Sequence, residues 1–471
     1  MPRKILKIIG WTGAVAAVVA AAVAALSLAF FLHFYPSPPK AAYPHAADAL
    51  AQQRQDLDYF AKLIALDRAF SAQARTEAYR QLATLNALPS PLDHPHLRVA
   101  LMRIAALADN GHSRLGFDPG ADPLELPVRV VAFSDGLYVM RAAGAPELLG
   151  GRLLDIDGKP IKEVMARLEA LRGGTQQWRR AYASHYLYYQ DFLYGTDIAP
   201  QPDKSTWTVE SPSGTRVTRI LEAHAPPKSA PYAYVKRWLS SEPFAGMTAG
   251  WDVFQPDSGL PLSLQNFDTA FRRVRLPNSC VMFLQYKSND DEGEQPIRAF
   301  SAETAADMRA RPPCQLIMDL RYDDGGNYLK TAGFMRNLTD HVAPQGRIYM
   351  LLGPSTFSAG IVSAAFIKQA GGDRVVILGE PVGDRLQFLS EGNRGCLPNY
   401  PLCVSYATGK HDYQHPCTDL AVCFWLNYIY PTRVPSLDPD EAILLSFAEW
   451  RAGSDPVFER ALFRASAGEN R

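Results

Sequence analysis

The 471-residue sequence predicts an α/β fold built on a mostly parallel sheet, preceded by a helical bundle and a compact β-rich module and led by an apolar N-terminal helix. Three observations predict it. In the second half of the chain the apolar runs Val281 to Tyr286, Leu316 to Leu320, Ile348 to Leu352 and Val375 to Leu378 alternate with helical patterns at 302–310, 329–338 and 359–370, as in a parallel sheet covered on both faces. Residues 124–172 hold short strand-like runs and one amphipathic helix with Ile161, Val164, Leu168 and Leu171 on one face. Residues 47–108 keep a helical period, with Leu97, Leu101, Ile104 and Leu107 on one stripe that Asp109-Asn-Gly111 stops. At this length, 47% hydrophobic residues can fill more than one core.

At the N-terminus, Arg3, Lys4 and Lys7 precede an uncharged apolar run from Ile8 to Leu32. The run exceeds a signal-peptide core and suffices to span a bilayer, so residues 1–35 read as a cytoplasmic flank and an uncleaved transmembrane anchor. The chain after Tyr35-Pro-Ser-Pro-Pro-Lys40 is then expected outside the cytoplasm, periplasmic or extracellular, on a single-pass inner-membrane protein. Small residues between Ala41 and Ala49 keep a cleaved signal as the alternative. Residues 42–120 form the helical domain, 124–175 the β-rich module and 277–465 the α/β core. The region 176–276 receives no role; it reads as an aromatic helix from Trp178 to Tyr194, a hairpin around Pro212-Ser-Gly214 and a proline-rich linker near Ala225 to Pro231.

Lysine plus arginine equals aspartate plus glutamate at 48 each, which leaves no electrostatic footprint for nucleic acid. Six cysteines outside the cytoplasm predict disulfides: Cys280 and Cys314 flank strands, while Cys396, Cys403, Cys417 and Cys423 share one late segment. A zinc site with His411 and His415 is the other reading, against which stands the lack of any C-x-x-C pair. No metal and no cofactor is predicted.

The richest local signal is Gly353-Pro-Ser-Thr-Phe-Ser-Ala-Gly360, which follows an apolar strand and opens a helix. Ser358 there stands at a helix N-terminus, beside free N–H groups and the positive end of the helix dipole, as a serine nucleophile and its oxyanion require. A plain N-cap serine is the bland alternative. Upstream, the strand Leu316 to Leu320 ends in a loop closed by Gly325 and Gly326, a pair that lets backbone N–H groups approach a ligand.

With their surroundings, these loops resemble a family. Asp319-Leu-Arg-Tyr-Asp-Asp-Gly-Gly326 is similar to the D-L-R-x-N-x-G-G segment of the carboxyl-terminal processing and tricorn-type serine peptidases. Thr356-Phe-Ser-Ala359 resembles their T-x-S-A nucleophile turn, and Gly379-Glu-Pro-Val-Gly383 their G-E-x-T-G strand end. Leu437-Asp-Pro-Asp440 and Gly453-Ser-Asp-Pro-Val457 resemble their closing P-D-I and G-x-D-P-x-L segments. The run Leu148 to Ile161 is similar to their PDZ-like insert, though no G-L-G-F carboxylate-binding loop is visible. The resemblance covers about residues 97 to 465 and implies a serine peptidase acting on peptides or proteins. The same scaffold could instead bind a peptide or ligand without catalysis, or act on esters. Oligomeric state and natural substrate are not legible.

A serine needs a base. The lysine that one branch of the family places after the strand end is replaced by Asp384 and Arg385, and arginine does not give up its proton; Lys330, Lys368 and Lys410 are remote alternatives. Asp109-Asn-Gly-His-Ser-Arg-Leu115 resembles the D-G-H-T-x-L turn of tricorn-type members, which implies His112 as the base. The register that should supply its orienting acid holds Thr432-Arg433-Val434 instead. Among Glu391, Glu380 and Asp384, Glu391 is the expected acid. The resemblance thus implies a catalytic set of Ser358, His112 and Glu391, with oxyanion donors from Ala359 and one of Gly325 or Gly326.

Overall fold

The computed structural model describes residues 2–117, 123–225, 235–244, 250–293 and 296–469, the side chains of 2–15, 235–236 and 467–469 excepted. The side chains of the basic flank Arg3, Lys4 and Lys7, and all but Ala225 of the proline-rich linker, lie outside the described residues.

Helix α1 (Pro2–Phe34) contains one stretch, Ala16–Phe34, long and apolar enough to cross a membrane, with mean hydropathy 2.3 and only 6% of it buried. Three helices follow, α2 (Ala49–Leu66), α3 (Ala72–Asn86) and α4 (His94–Ala106). Each starts where a side-chain oxygen takes an unpaired first-turn N–H: Asp48 from Ala51, Ser71 from Ala74 and Asp93 from His96. Asp109, at φ +47, ends the last of them and turns the chain toward β1 (Arg114–Phe117).

The β-rich module opens with β2 (Val128–Phe133), β3 (Gly136–Ala143), β4 (Arg152–Ile156), β5 (Lys159–Pro160) and α5 (Ile161–Glu169). After α6 (Gln176–Tyr186) and α7 (Gln190–Gly195), the hairpin β6 (Lys204–Glu210) and β7 (Arg216–Glu222) joins the same sheet through β4, and β8 (Trp251–Val253) joins through β3. Residues to which the sequence assigned no role therefore complete this antiparallel sheet. Their part was hidden because strand pairing is a long-range choice, made here across 58 residues between Arg152 and Glu210.

The core comprises β9 (Phe271–Arg275), β10 (Val281–Tyr286), α8 (Ile297–Ala310), β11 (Gln315–Asp319), α9 (Ala332–Met335), β12 (Ile348–Leu352), α10 (Ala359–Gly371) and β13 (Val375–Gly379). Its sheet runs β10 to β13 in parallel, with β9 antiparallel at one edge. The expectation of a mostly parallel architecture needs correction for the molecule as a whole. Among the described strands, parallel pairing is confined to this one sheet, and the other sheets are antiparallel; one isolated parallel bridge joins Lys410 and Cys423. The helical period at 329–338 also breaks into the short α9 between two 3-10 turns, Tyr328–Lys330 and Leu338–His341.

Strand residues alternate between two cores, as the pleat demands. Met282, Leu284, Leu316, Met318, Ile348 and Met350 pack with α8 and α10, while Phe283, Ile317, Tyr349 and Leu351 pack under Val457, Phe458 and Ala461 of the last helix. The remaining elements are β14 (Gln387–Ser390), β15 (Asn393–Cys396), β16 (Leu402–Tyr406), β17 (Gly409–Asp412), β18 (Glu441–Ala442), α11 (Phe447–Arg451) and α12 (Pro456–Glu469). Strand β18 extends the core sheet in parallel beside β13. Strand β1 pairs with β16, which ties the helical domain to the segment after the core sheet. The six cysteines form Cys280–Cys314, Cys396–Cys403 and Cys417–Cys423, so the predicted disulfides are present and no thiol is left to ligate a metal.

Candidate active site

Strands β11 and β12 are parallel neighbours, so the loops leaving their carboxyl ends meet beyond the sheet, where open α/β sheets place their ligands. Ser358 caps α10 at φ +52 and ψ −121, a backbone conformation that costs a side-chain-bearing residue about 1–3 kcal/mol. Surrounding bonds hold it there. Thr356 Oγ1 donates to Leu320 O at 2.8 Å and accepts from Gly353 N, while Phe357 N donates to Asp323 O at 3.0 Å.

The buried Asp323 organises the facing loop. It accepts both Asn289 Nδ2 bonds, at 2.9 and 2.7 Å, and the Gly325 N–H at 3.1 Å. Asn289 in turn accepts from Thr331 and from Ser363 on α10, which commits that second serine to structure. At φ +121 Gly325 lies so close to Ser358 that a Cβ on it would sit 2.8 Å from the serine Cβ. Of the proposed oxyanion donors, Gly325 N–H is engaged by Asp323, while Gly326 and Ala359 N–H make no hydrogen bond among the described residues. The motif arginine has a mechanical role: Arg321 bridges Asp319 and Asp455, joining the first family-like segment to the last.

His112 lies against this turn. Its ring stacks between Phe357, the residue before Ser358, at 4.5 Å, and Phe388 at 5.4 Å. The column continues outward through Trp178 on Phe357 (3.7 Å) and His411 on Phe388 (5.0 Å). The side chain is 18% exposed, yet both ring nitrogens are shut off from solvent and neither has a hydrogen-bond partner. Burial, with Arg114 adding repulsion, pushes the imidazole down to about 3, so it is neutral.

The carboxylate beside His112 is that of Asp384, with Oδ2 3.9 Å from Nδ1. That gap is too long for a hydrogen bond. Burial pushes Asp384 up to about 7 despite the bond from Arg385 N, and its Oδ2 is unpartnered too. Glu391, the acid expected from sequence, sits at φ +61 with both oxygens engaged, one by His411 Nε2 at 3.1 Å and the other by Tyr35 Oη. Burial would raise it, but the bonds from His411, Tyr35 and Ser390 hold it below the usual carboxylate range. Glu391 thus stands beyond Phe388 and His411 in the column. Asp384 was legible only as one of three nearby carboxylates, because which of them meets His112 depends on how the 383–391 loop crosses it.

The alternative lysines are committed elsewhere: Lys330 to Asp290 and Asp291, Lys368 to Val375 O, and Lys410 beside Asp412. Beside the nucleophile loop opens a cleft of about 760 Å³, lined by Gly353 to Ser355, Tyr322, Trp178 and Tyr182 from one side and Phe133 and Leu444 from the other. Trp178 and Phe388 went unseen as site residues in the sequence, and His411 entered there only as a zinc-ligand alternative. Aromatic positions on helices and strands carry no mark that separates a stacking column from a core.

The fold is similar to that of mature CPAF. A structure of mature CPAF complexed with lactacystin aligns over 90% of this chain and 99% of its own, with TM-score 0.57 and 13% identity. A second structure of mature CPAF covers 89% and 98%, with TM-score 0.56 and 14% identity. A photosystem II D1 C-terminal processing protease aligns more loosely, over 83% of this chain and 93% of its own, with TM-score 0.36 and 13% identity. No protein-family model matches the chain, and no curated protein matches it in sequence.

Proposed function

We propose that this protein is a membrane-anchored serine peptidase cleaving peptides or proteins outside the cytoplasm, in which Ser358 attacks the scissile carbonyl and His112 moves the proton. The observation that carries the reading is Ser358 at φ +52 on a strand-to-helix turn, pressed against Gly325, with a neutral, hydrogen-bond-free histidine stacked on the neighbouring Phe357. In the attack, the serine proton passes to His112, the carbonyl oxygen gains charge, and the uncommitted N–H groups of Ala359 and Gly326 receive it. His112 then returns the proton to the leaving amine, and water reverses the sequence on the acyl-enzyme. Asp384 is the acid whose approach from 3.9 Å to hydrogen-bond distance would orient His112 and stabilise its charged form. The neighbouring cleft would take the substrate chain. Residues 1–35 would form the anchor and 124–175 the PDZ-like module, with the body on the periplasmic or outer side of an inner membrane.

Fluorophosphonate labelling of the full-length protein in nanodiscs tests this reading, because the probe reacts only with a serine that has both a base and oxyanion donors. Adduct formation at Ser358, lost in Ser358→Ala, is the expected result. A folded protein labelled at Ser355, or not labelled at all, would count against the nucleophile assignment.

A further inference from the structure

Outside α1, seven large hydrophobic side chains stand exposed among the described residues, and three of them, Leu420 (63%), Tyr428 (45%) and Ile429 (63%), fall in one loop. That loop follows β17 and is closed at its base by Cys417–Cys423. Between Tyr413 and Tyr430 its only carboxylate is Asp419, an exposed side chain that takes the Ala421 N–H.

The loop is packed on the last turn of α1. Trp425 stacks flat on His33 at 5.5 Å and meets Phe30 at 6.0 Å, Phe424 meets Phe30 at 5.4 Å and Phe34 at 5.2 Å, and His33 Nε2 bonds Ala421 O at 2.9 Å. The chain leaving α1 is not a free tether either. Phe34 is fully buried, its carbonyl takes the Thr408 hydroxyl, the Pro36 carbonyl takes Tyr406 Oη, and the Pro39 carbonyl takes Tyr59 Oη.

These contacts fix a height. The uncharged apolar run from Ile8 to Leu32 exceeds the ~20 helical residues that cross the ~30 Å hydrocarbon core of a bilayer, and Ala16–Phe34 holds its described part. If α1 crosses a membrane, the boundary falls at its last turn, where Phe31 and Leu32 are still exposed and where the loop is seated. Trp and Tyr side chains favour that level, and so do cations facing lipid phosphates. The cations are present: Arg68 bonds Ala421 O at 3.0 Å, and Arg336 lies over the Tyr430 ring at 5.4 Å.

We propose that the loop from Cys417 to Tyr430 is a second membrane contact, with Leu420, Tyr428 and Ile429 inserted into the phospholipid surface around α1. The proposal rests on the anchor reading of α1. Two attachment points would stop the body pivoting about the anchor and hold the cleft at a set height and orientation, a geometry suited to substrate segments close to the membrane.

The test uses the unmodified full-length protein in phosphatidylcholine liposomes that carry a phospholipid with a diazirine in its acyl chain, with adducts mapped by peptide mass spectrometry after illumination. Adducts are expected on both α1 and the Leu420–Ile429 peptide, and not on peptides holding Ile220 or Phe463, which are equally exposed but belong to β7 and α12. Adducts on α1 alone would overturn the docking surface and leave the anchor standing. A bare loop together with a bare α1 would overturn both. Labelling of the loop without α1 would keep the docking surface and remove the span.

Discussion

The two halves of the site are built by different means. On the nucleophile side the side chains that shape the loops are bonded: Asp323 to Asn289 and Gly325, Asn289 to Thr331 and Ser363, Thr356 to Leu320 and Gly353. On the base side His112 is held by aromatic faces, and its two nitrogens and Asp384 Oδ2 have no hydrogen-bond partner among the described residues. A strained serine needs a rigid frame, since its conformation persists only while neighbouring bonds over-determine it. A base must gain and lose a proton, and stacking fixes a ring's plane without committing its nitrogens. Under the proposed assignment, the contrast points to a nucleophile that is preformed and a base whose last hydrogen bonds form when substrate is bound.

The largest effect expected under the proposed function is from Ser358→Ala: hydrolysis falls by about 10⁴-fold or more, as on removal of a catalytic serine, while circular dichroism stays that of the parent. An active Ser358→Ala enzyme would end the comparison, because the rigid half would then not be the reactive one. His112→Gln keeps most of the ring's volume and removes the base; kcat should drop by about 10²–10⁴-fold. Its thermal unfolding temperature should move only slightly, because the native imidazole makes no hydrogen bonds to lose.

Gly326→Val sharpens the frame side. Gly326 sits at φ +119, which strains a β-branched residue, and a Cβ would lie 3.0 Å from the Asn289 backbone carbonyl carbon, so the substitution must displace the loop and its N–H. Loss of that donor should cost about 10²–10³-fold in kcat, with KM changed far less.

Asp384→Asn addresses the base side through pH. Asp384 has its folded pKa raised to about 7 from an unfolded value of 3.8, so its ionised form, which orients His112, accumulates only as pH rises through about 7. The rate should therefore climb across that range in the parent and lie flat and low in the variant, since His112, near 3, is already neutral there. Stability moves the opposite way. Between pH 3.8 and 7 the folded state holds a proton that the unfolded state has released, so the stabilisation from this group is complete below about 4 and lost by about 7. A limb near 7 that persists in Asp384→Asn would reassign it to another group. The smallest effect belongs to Glu391→Gln, which should change kcat severalfold at most, because Glu391 touches His411 and Tyr35 rather than His112. A loss as deep as that of His112→Gln would restore Glu391 as the acid.

Local chain direction settled much of this protein before folding. The strand-turn-helix around Ser358, the glycine pair facing it, the alternating strands of the core, the helix stop before His112 and the apolar N-terminal run all follow from short-range pattern, because turns, caps and periodicities are properties of contiguous residues. What only the tertiary structure decided are the encounters between distant segments: Asp384 rather than Glu391 beside His112, the column of Trp178, Phe357, Phe388 and His411, the completion of the β-rich sheet by residues 204–253, and the seating of the 417–430 loop on the last turn of α1. Such encounters depend on packing across hundreds of residues, and nothing in a single side chain's neighbours along the chain records which partner it will meet.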